Sequence, residues 1–492
     1  MSLINIANLT FSYENSFDTI FENVSFQIDT DWKLGFTGRN GRGKTTFLNL
    51  LLGKYEYKGN ISANAVFEYF PYEVKEQELC TVDIIREISP NSMDWEIIKE
   101  LSQLDVDDEV LYRQFYTLSK GEQTKALLAA MFLKENSFLL IDEPTNHLDY
   151  EGRVKLSNYL KKKKGFILVS HDRFFLDNCI DHILAINKNN IEIQKGNFSS
   201  WWRNKEMQDS YEMAENEKLK KDISRLSYSA KRTSAWSDSV ESSKYGNTNS
   251  GSKLDKGYVG HKAAKMMKRA KNIESRQQDM IEEKSKLLKN IESNESLKII
   301  PLTFFDNTLV ELKDISIFYD DKIVCEALNL TVEQGERIAV RGKNGSGKSS
   351  ILKLICGEDI PYSGIVRKNG KLKISYVSQS TSHLCGSLSE YAYNHSIADS
   401  LFKSILTKLD FSAKQFEKNM EDFSAGQKKK VLIARSLCEQ SHLYIWDEPL
   451  NYIDVISRMQ IEKLLLEYKP TILFVEHDRI FCNNIATKIV KL

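Results

Sequence analysis

The chain has 492 residues, with 68 Lys plus Arg balancing 68 Asp plus Glu for a formal charge of zero. This length accommodates roughly three domains, and the balance excludes a globally charged partner surface, so any electrostatic message is local. No run of apolar residues is long enough for a membrane helix, and no basic stretch with an apolar core opens the chain. The seven cysteines stand singly, without C-x-x-C, as expected of reduced thiols rather than a metal or disulfide framework; a soluble cytoplasmic chain is expected.

In chain order, Phe11-Ser12-Tyr13 comes first, then Ser25-Phe26-Gln27-Ile28 and Lys33-Leu34-Gly35-Phe36, which read as strands leading into Gly38-Arg39-Asn40-Gly41-Arg42-Gly43-Lys44-Thr45. This fits G-x-x-x-x-G-K-[ST], in which backbone N–H groups wrap phosphates, Lys bridges the β and γ phosphates, and Ser/Thr reaches Mg²⁺. A helix is expected from Thr46 to Leu52. Further on come Leu118-Ser119-Lys120-Gly121-Glu122-Gln123, the apolar strand Phe138-Leu139-Leu140-Ile141 ending in Asp142-Glu143-Pro144, the short buried strand Ile167-Leu168-Val169, and Ser170-His171-Asp172.

The same series then returns. Ile317-Phe318-Tyr319 precedes Gly342-Lys343-Asn344-Gly345-Ser346-Gly347-Lys348-Ser349, whose lysine lies 304 residues after Lys44. Phe423-Ser424-Ala425-Gly426-Gln427-Lys428 and Leu443-Tyr444-Ile445-Trp446-Asp447-Glu448-Pro449 recur at a displacement of 305, and Glu476-His477-Asp478, after the strand Ile472-Leu473-Phe474-Val475, at 306. Order and spacing persist, so two copies of one α/β nucleotide-binding domain are expected, each holding phosphate at a helix N-terminus.

Asp142 and Asp447 end strands where a carboxylate can hold Mg²⁺. Glu143 and Glu448 follow, suited to polarising an attacking water, with His171 and His477 sensing the γ-phosphate. Alone, each His reads as a satisfied structural residue and Tyr13 or Tyr319 as a core aromatic. Recurrence favours γ-phosphate contact for the first pair and adenine stacking for the second, since the tyrosines stand 31 and 29 residues before the loop lysines.

Between the copies, residues 200–299 read differently. Leu219, Ile223, Leu226 and Ala230, then Met266, Ala270, Ile273, Met280, Leu287 and Ile291, step at helical spacing around the helix-breaking stretch 244–252. Two antiparallel helices are expected, about 45 Å long if each arm has about thirty residues. From Arg225 to Arg276 twelve Lys/Arg oppose four Asp/Glu. Lys244, Lys253, Lys256, Lys262, Lys265, Lys268 and Arg269, with Tyr245, Tyr258 and His261 among them, suit RNA phosphates and unstacked bases. A merely solvated coiled coil has the same composition.

Together these motifs resemble the ATP-binding cassette superfamily: two cassettes (1–199 and 300–492) joined by a helical hairpin (200–299). The resemblance implies a head-to-tail sandwich in one monomer. ATP at the first phosphate loop (Gly38, Asn40, Gly41, Gly43, Lys44, Thr45, Thr46) would meet the signature residues Ser424, Gly426 and Gln427. ATP at the second (Gly342, Asn344, Gly345, Gly347, Lys348, Ser349, Ser350) would meet Ser119, Gly121 and Glu122. It also implies Thr45 with Asp142, and Ser349 and Gln379 with Asp447, as metal ligands. Scattered cysteines exclude the excision-repair and iron–sulfur branches, leaving similarity to the ABC-F family, whose linker enters the ribosome.

The Trp32–Lys44 sequence, the lack of an extra arm before the first signature and the chain's ending 15 residues after His477 resemble the Lsa-type antibiotic-resistance proteins. That implies ATP-dependent protection of the 70S ribosome against lincosamides, pleuromutilins and streptogramin A, acting on 23S rRNA near the peptidyl-transferase centre from the E-site tRNA region. A housekeeping ABC-F translation factor and a soluble exporter ATPase remain as alternatives, a DNA-associated ATPase as a weaker third. Departures from the pattern imply unequal sites: Tyr72 where a Q-loop Gln is expected, Lys120 in the first signature, Leu450-Asn451-Tyr452-Ile453-Asp454 after the second acidic strand, and Glu476 before His477.

Overall fold

Each copy begins with an antiparallel three-stranded sheet and continues into a mainly parallel one. The computed structural model describes residues 2–13, 19–146, 148–186, 191–242, 265, 268, 271–272, 275–276, 279–280, 297–319, 322–343 and 345–492. In the first copy, β1 (Leu3–Ser12), β2 (Thr19–Asp29) and β4 (Lys58–Ser62) form the antiparallel sheet, in order β2-β1-β4. The other strands are β3 (Lys33–Thr37), β5 (Val66–Phe70), β6 (Ser137–Asp142), β7 (Phe166–Val169), β8 (His182–Ile186) and β9 (Ile191–Lys195), in order β5-β6-β7-β3-β8-β9. In the second copy, β10 (Thr308–Tyr319), β11 (Lys322–Glu333) and β13 (Tyr362–Lys368) repeat the small sheet. The strands β12 (Arg337–Arg341), β14 (Ile374–Val377), β15 (Leu443–Asp447), β16 (Ile472–Val475) and β17 (Lys488–Lys491) run in order β14-β15-β16-β12-β17.

The apolar runs β7 and β16 are buried at every position and pair in parallel on both sides, as expected of strands covered on both faces. The central strands β3 and β12 end in the phosphate loops, whose helices run Lys44–Leu51 and Lys348–Cys356. The first starts two residues earlier than its sequence pattern suggests. Phe47 fixes its angle: fully buried, it meets Phe21, Phe26 and Phe36 at centroid distances of 6.0, 5.8 and 5.5 Å. Emptying that position would cost about 3–5 kcal/mol.

The chain divides into two compact units, Met1–Trp201 with Asn294–Leu492, and Trp202–Ser293. Both cassettes therefore belong to one unit. Between them one helix runs Phe198–Ser242, 45 residues, or about 67 Å at about 1.5 Å per residue. The sequence pattern gives about thirty residues for this arm; its apolar stripe runs only from Leu219 to Ala230 and the more polar stretches on either side carry little period, so the pattern understates its length. Of the expected RNA-contacting residues, Lys265 and Lys268 are helical and exposed. Lys244, Tyr245, Lys253, Lys256, Tyr258, His261, Lys262 and Arg269 lie outside the described residues, as does Asn344 of the second phosphate loop.

Candidate active sites

Both phosphate loops turn on glycines in the left-handed region. Gly43 (φ 90°) and Gly347 (φ 83°) immediately precede the helices; a Cβ on Gly43 would lie 2.5 Å from Ile20 Cγ2 and one on Gly347 3.1 Å from Val324 Cγ1. Gly38, Gly41 and Gly345 also have positive φ, leaving the loop amides free to face an anion. Gly342 begins the second loop beside Ser346. The Lys44 ammonium donates to the carbonyls of Gly38 (2.6 Å) and Arg39 (3.1 Å), and Lys348 donates to those of Gly342 (3.0 Å) and Lys343 (2.8 Å). Burial lowers the pKa of both lysines, a cost that an anionic phosphate would offset.

The adenine candidates are tethered to the same helices. Tyr13 OH lies 2.8 Å from Thr46 Oγ1, and Tyr319 OH lies 3.1 Å from Ser350 Oγ. Both tyrosines are exposed, so each ring keeps a face accessible while its edge is held.

Strands β6 and β15 deliver the acids to the loops. Thr45 Oγ1 is 3.5 Å from Asp142 Oδ2. Burial raises the carboxyl pKa of Asp142 and of Asp447. Both oxygens of Asp447 are buried without a hydrogen-bond partner among the described residues, with the Ser349 hydroxyl nearby. A buried carboxylate left open to a hydroxyl and a phosphate loop is a donor set suited to a hard divalent cation. Glu143 and Glu448 follow in left-handed backbone, φ 49° and 45°, and their carboxylates reach His171 Nε2 (3.5 Å) and His477 Nε2 (3.4 Å).

The two glutamates differ electrostatically. Burial, then the neighbouring Asp142, pushes Glu143 up to about 8. Burial also opposes the charge on Glu448, but His477, Gln379 and Lys429 overcome it and hold the carboxyl near 2. Gln379 Nε2 (2.9 Å) and Asn451 Nδ2 (2.6 Å) both donate to Glu448 Oε2. In the first copy Tyr72 takes the place of Gln379. Its neighbour Tyr69 instead donates to Asp142 Oδ2 at 3.0 Å, a contact with no motif to announce it. Burial places the pKa of His171 well below its ordinary value, with Lys44 and Arg458 adding to the effect.

The signatures begin helices Lys120–Leu133 and Ala425–Cys438. Ser119 and Ser424 are N-caps, and the side chains of Glu122 and Gln427 return to their backbone amides at 2.8 and 2.9 Å. These two, read as nucleotide contacts, are thus engaged in capping boxes that fix the helix ends. Across the seam, Ser119, Gly121 and Glu122 share a cavity of about 860 Å³ with Gly345, Lys348, Ser349, Gln379, Glu448 and His477. At the other loop the second signature is closer still. Asn40 Nδ2 donates to the Tyr452 carbonyl at 2.9 Å, and a Cβ on Gly426 would lie 2.5 Å from that carbonyl oxygen and 3.0 Å from Asn40 Nδ2.

Several seam residues were not apparent in the sequence. Arg39 and Arg42 approach Asp410 at 3.4 and 3.8 Å. Arg173 pairs with Glu462, and Arg479 donates to Tyr150 OH at 2.8 Å. Asp454, the N-cap of helix Val455–Tyr468, acts electrostatically on Lys44 and His171 of the other copy, and Asp149, the N-cap of Tyr150–Lys162, acts on Lys348. Their signal was recurrence: each acid lies seven residues past its acidic strand's Asp.

The ABC transporter family matches residues 21–146 and 325–451. The ribosome protection protein VmlR of Bacillus subtilis (strain 168) is 28% identical over 487 residues, covering 96% of this chain and 83% of its own. ABC transporter F family member 2 of Arabidopsis thaliana is 26% identical over 548 residues, covering 99% and 76%. Among solved structures, the archaeal ribosome recycling factor aABCE1, in complex with the ribosomal stalk protein aP1, superposes with a TM-score of 0.64 at 17% identity, covering 98% of this chain and 87% of that one; at that identity the likeness is one of fold. No helix among the described residues is long and apolar enough to cross a membrane. With both cassettes matched and relatives named for the F branch, the chain belongs to the ABC transporter family and is an ATPase of its ABC-F branch.

Proposed function

We propose that this ATPase is a cytoplasmic ribosome protection factor: ATP closes the cassettes on each other, positions the interdomain helices against 23S rRNA near the peptidyl-transferase centre, and hydrolysis releases the protein. The observation that carries this reading is the cavity shared by the second phosphate loop and the first signature. Nucleotide bound there touches both cassettes, so its presence or loss is felt in their separation. The likeness to VmlR over nearly the whole chain supports the ribosome as target, and the basic stretch Arg225–Arg276 supports an RNA contact.

In each site the loop amides and Lys44 or Lys348 bind the phosphates, and Tyr13 or Tyr319 stacks on the base. Glu143 or Glu448 accepts the proton of the attacking water, while His171 or His477 orients that glutamate and the γ-phosphate. Thr45 with Asp142, and Ser349 and Gln379 with Asp447, would hold Mg²⁺, which when bound neutralises charge on the phosphate oxygens. The opposing Ser424–Gly426 or Ser119–Gly121 segment closes the site with helix N-terminal amides.

Purified protein added to a lincomycin- or tiamulin-inhibited translation extract should restore synthesis. The double variant Glu143→Gln, Glu448→Gln should sediment with ribosomes in ATP. If the extract stays inhibited while cells expressing the protein accumulate less drug, an exporter ATPase is the better reading. If ribosome binding persists without any rise in inhibitory concentration, the protein is a housekeeping factor.

A further inference from the structure

Helix Ala425–Cys438 grips the sheet beside the second site in a way its counterpart does not. Lys429 is 2% exposed, and its ammonium donates to the carbonyls of Ser378 (2.9 Å) and Asp447 (3.4 Å). Those residues lie at the ends of the paired parallel strands β14 and β15, just past the register pair Val377–Trp446. Each immediately precedes a residue of the site: Gln379 after Ser378, Glu448 after Asp447. One side chain thus bridges the two chain segments whose next residues are hydrogen-bonded to each other. The same helix adds Arg435, which donates to the Tyr376 carbonyl.

At the matching positions of the first copy stand Thr124 and Ala130. The Thr124 hydroxyl donates to the Lys120 carbonyl of its own helix, and Tyr72 replaces Gln379. Bridge and glutamine therefore occur together in the second copy and are replaced together in the first. Glu476, also particular to the second copy, lies close enough to act electrostatically on Lys429 and accepts from the amides of Leu450 (2.7 Å) and His477 (3.1 Å), so the arrangement extends to the histidine.

We propose that Lys429 is a positioning residue for ATP hydrolysis at the second site, holding the segment that carries Gln379 against the one that carries Glu448. The inference rests on the reading of Glu448 as the group that receives the water's proton. Lys429, buried and committed to two backbone carbonyls, acts through Glu448: it fixes where Glu448 Oε2 sits, and a small displacement of that oxygen slows the chemical step while leaving phosphate binding intact.

The test uses the full chain and steady-state phosphate release. K429T, which installs the first copy's residue, and K429M, which keeps the apolar stem without a donor, should each lower kcat about 10-fold, a modest misplacement on the scale of catalytic geometry, with KM for ATP within about twofold. K429R, which keeps donors at that depth, should recover more of the rate than K429M. Unchanged kcat in K429T and K429M overturns the inference, as does a KM that moves in parallel with kcat or a K429R no better than K429M. E448Q is measured beside them. If E448Q retains full turnover, the reading of Glu448 has failed and takes the inference with it; if E448Q is slow while K429M is fast, only the role of Lys429 has failed.

Discussion

The two composite sites use the same parts and close differently. At the second, the first signature faces a cavity of about 860 Å³ and Glu448 is held as a carboxylate by Gln379, Asn451 and His477. At the first, Asn40 bonds directly to the Tyr452 carbonyl, Arg39 and Arg42 reach Asp410, and the half-buried Glu143 has a raised pKa without a matching glutamine. A duplicated fold therefore conserves where the loop, acid and histidine stand, while a few side chains at the seam decide how tightly each site is drawn together and how its base is oriented. That difference predicts faster turnover at the second site than at the first.

The largest expected effect tests that division. Glu448→Gln should lower steady-state ATPase activity about 10²-fold or more, the usual scale for losing a positioned base, and Glu143→Gln by less than about 5-fold if the second site carries most turnover. Equal losses in the two variants would erase the distinction.

Next in size is Asp454→Asn. Asp454 is fully buried, pairs with Lys430 at 2.8 Å and caps its helix through Ser457 N and Oγ, both at 2.9 Å. Lys430, Lys44 and His171 face it. Removing its charge strands a buried ammonium, at a cost of about 3 kcal/mol. Burial opposes that charge, but Lys430 and the Ser457 amide outweigh it and hold the carboxyl well below the usual range. Its stabilisation is therefore full above the ordinary carboxylate pKa and lost as pH falls below it. Denaturation midpoints of wild type and variant should differ constantly from about pH 5 to 8 and converge below about pH 4. Asp149→Asn, whose residue is less deeply buried, should cost clearly less.

What could be read from the sequence follows from how locally each feature is encoded. A phosphate loop needs its glycines, lysine and hydroxyl within eight residues, and an acid at a strand end needs only the strand, so loops, β7, β16, Asp142 and Asp447 were all visible. Tyr69 on Asp142, Lys429 on Ser378 and Arg39 on Asp410 join residues 73, 51 and 371 positions apart, with no periodicity linking them. Glu122 and Gln427 fit two roles by motif, nucleotide contact and capping box, and only coordinates show their side chains turned back to the helix start. The interdomain helix exceeded its pattern because its length depends on polar residues that carry no stripe.

A smaller effect concerns the seam. An Arg39→Ala, Asp410→Ala double-mutant cycle on thermal unfolding should give a coupling of about 1 kcal/mol, as for a part-exposed ion pair. The corresponding Lys343→Ala, Asp105→Ala cycle should give close to zero, because Asp105 pairs instead with Lys155 of its own cassette. Coupling at both pairs would mean that the seams close alike.

The smallest expected difference lies at the adenine candidates. Tyr13 is held by Thr46 and by T-shaped contacts with the rings of Phe11 and Tyr55, at centroid distances of 5.1 and 5.7 Å. Tyr319 has Ser350 and, among the described residues, no ring neighbour. Removing one hydroxyl costs at most about 1 kcal/mol at an exposed position, and packing that already orients the ring reduces the loss. Tyr13→Phe should therefore leave ATP affinity nearly unchanged, whereas Tyr319→Phe weakens it about 3-fold, which is about 0.6 kcal/mol. Tyr→Ala at either position removes the stacking platform, worth about 1–3 kcal/mol per base. If Tyr13→Phe proves the costlier of the two, the Thr46 hydroxyl rather than the aromatic cluster sets the ring, and the first site owes less to its packed surroundings than its geometry indicates.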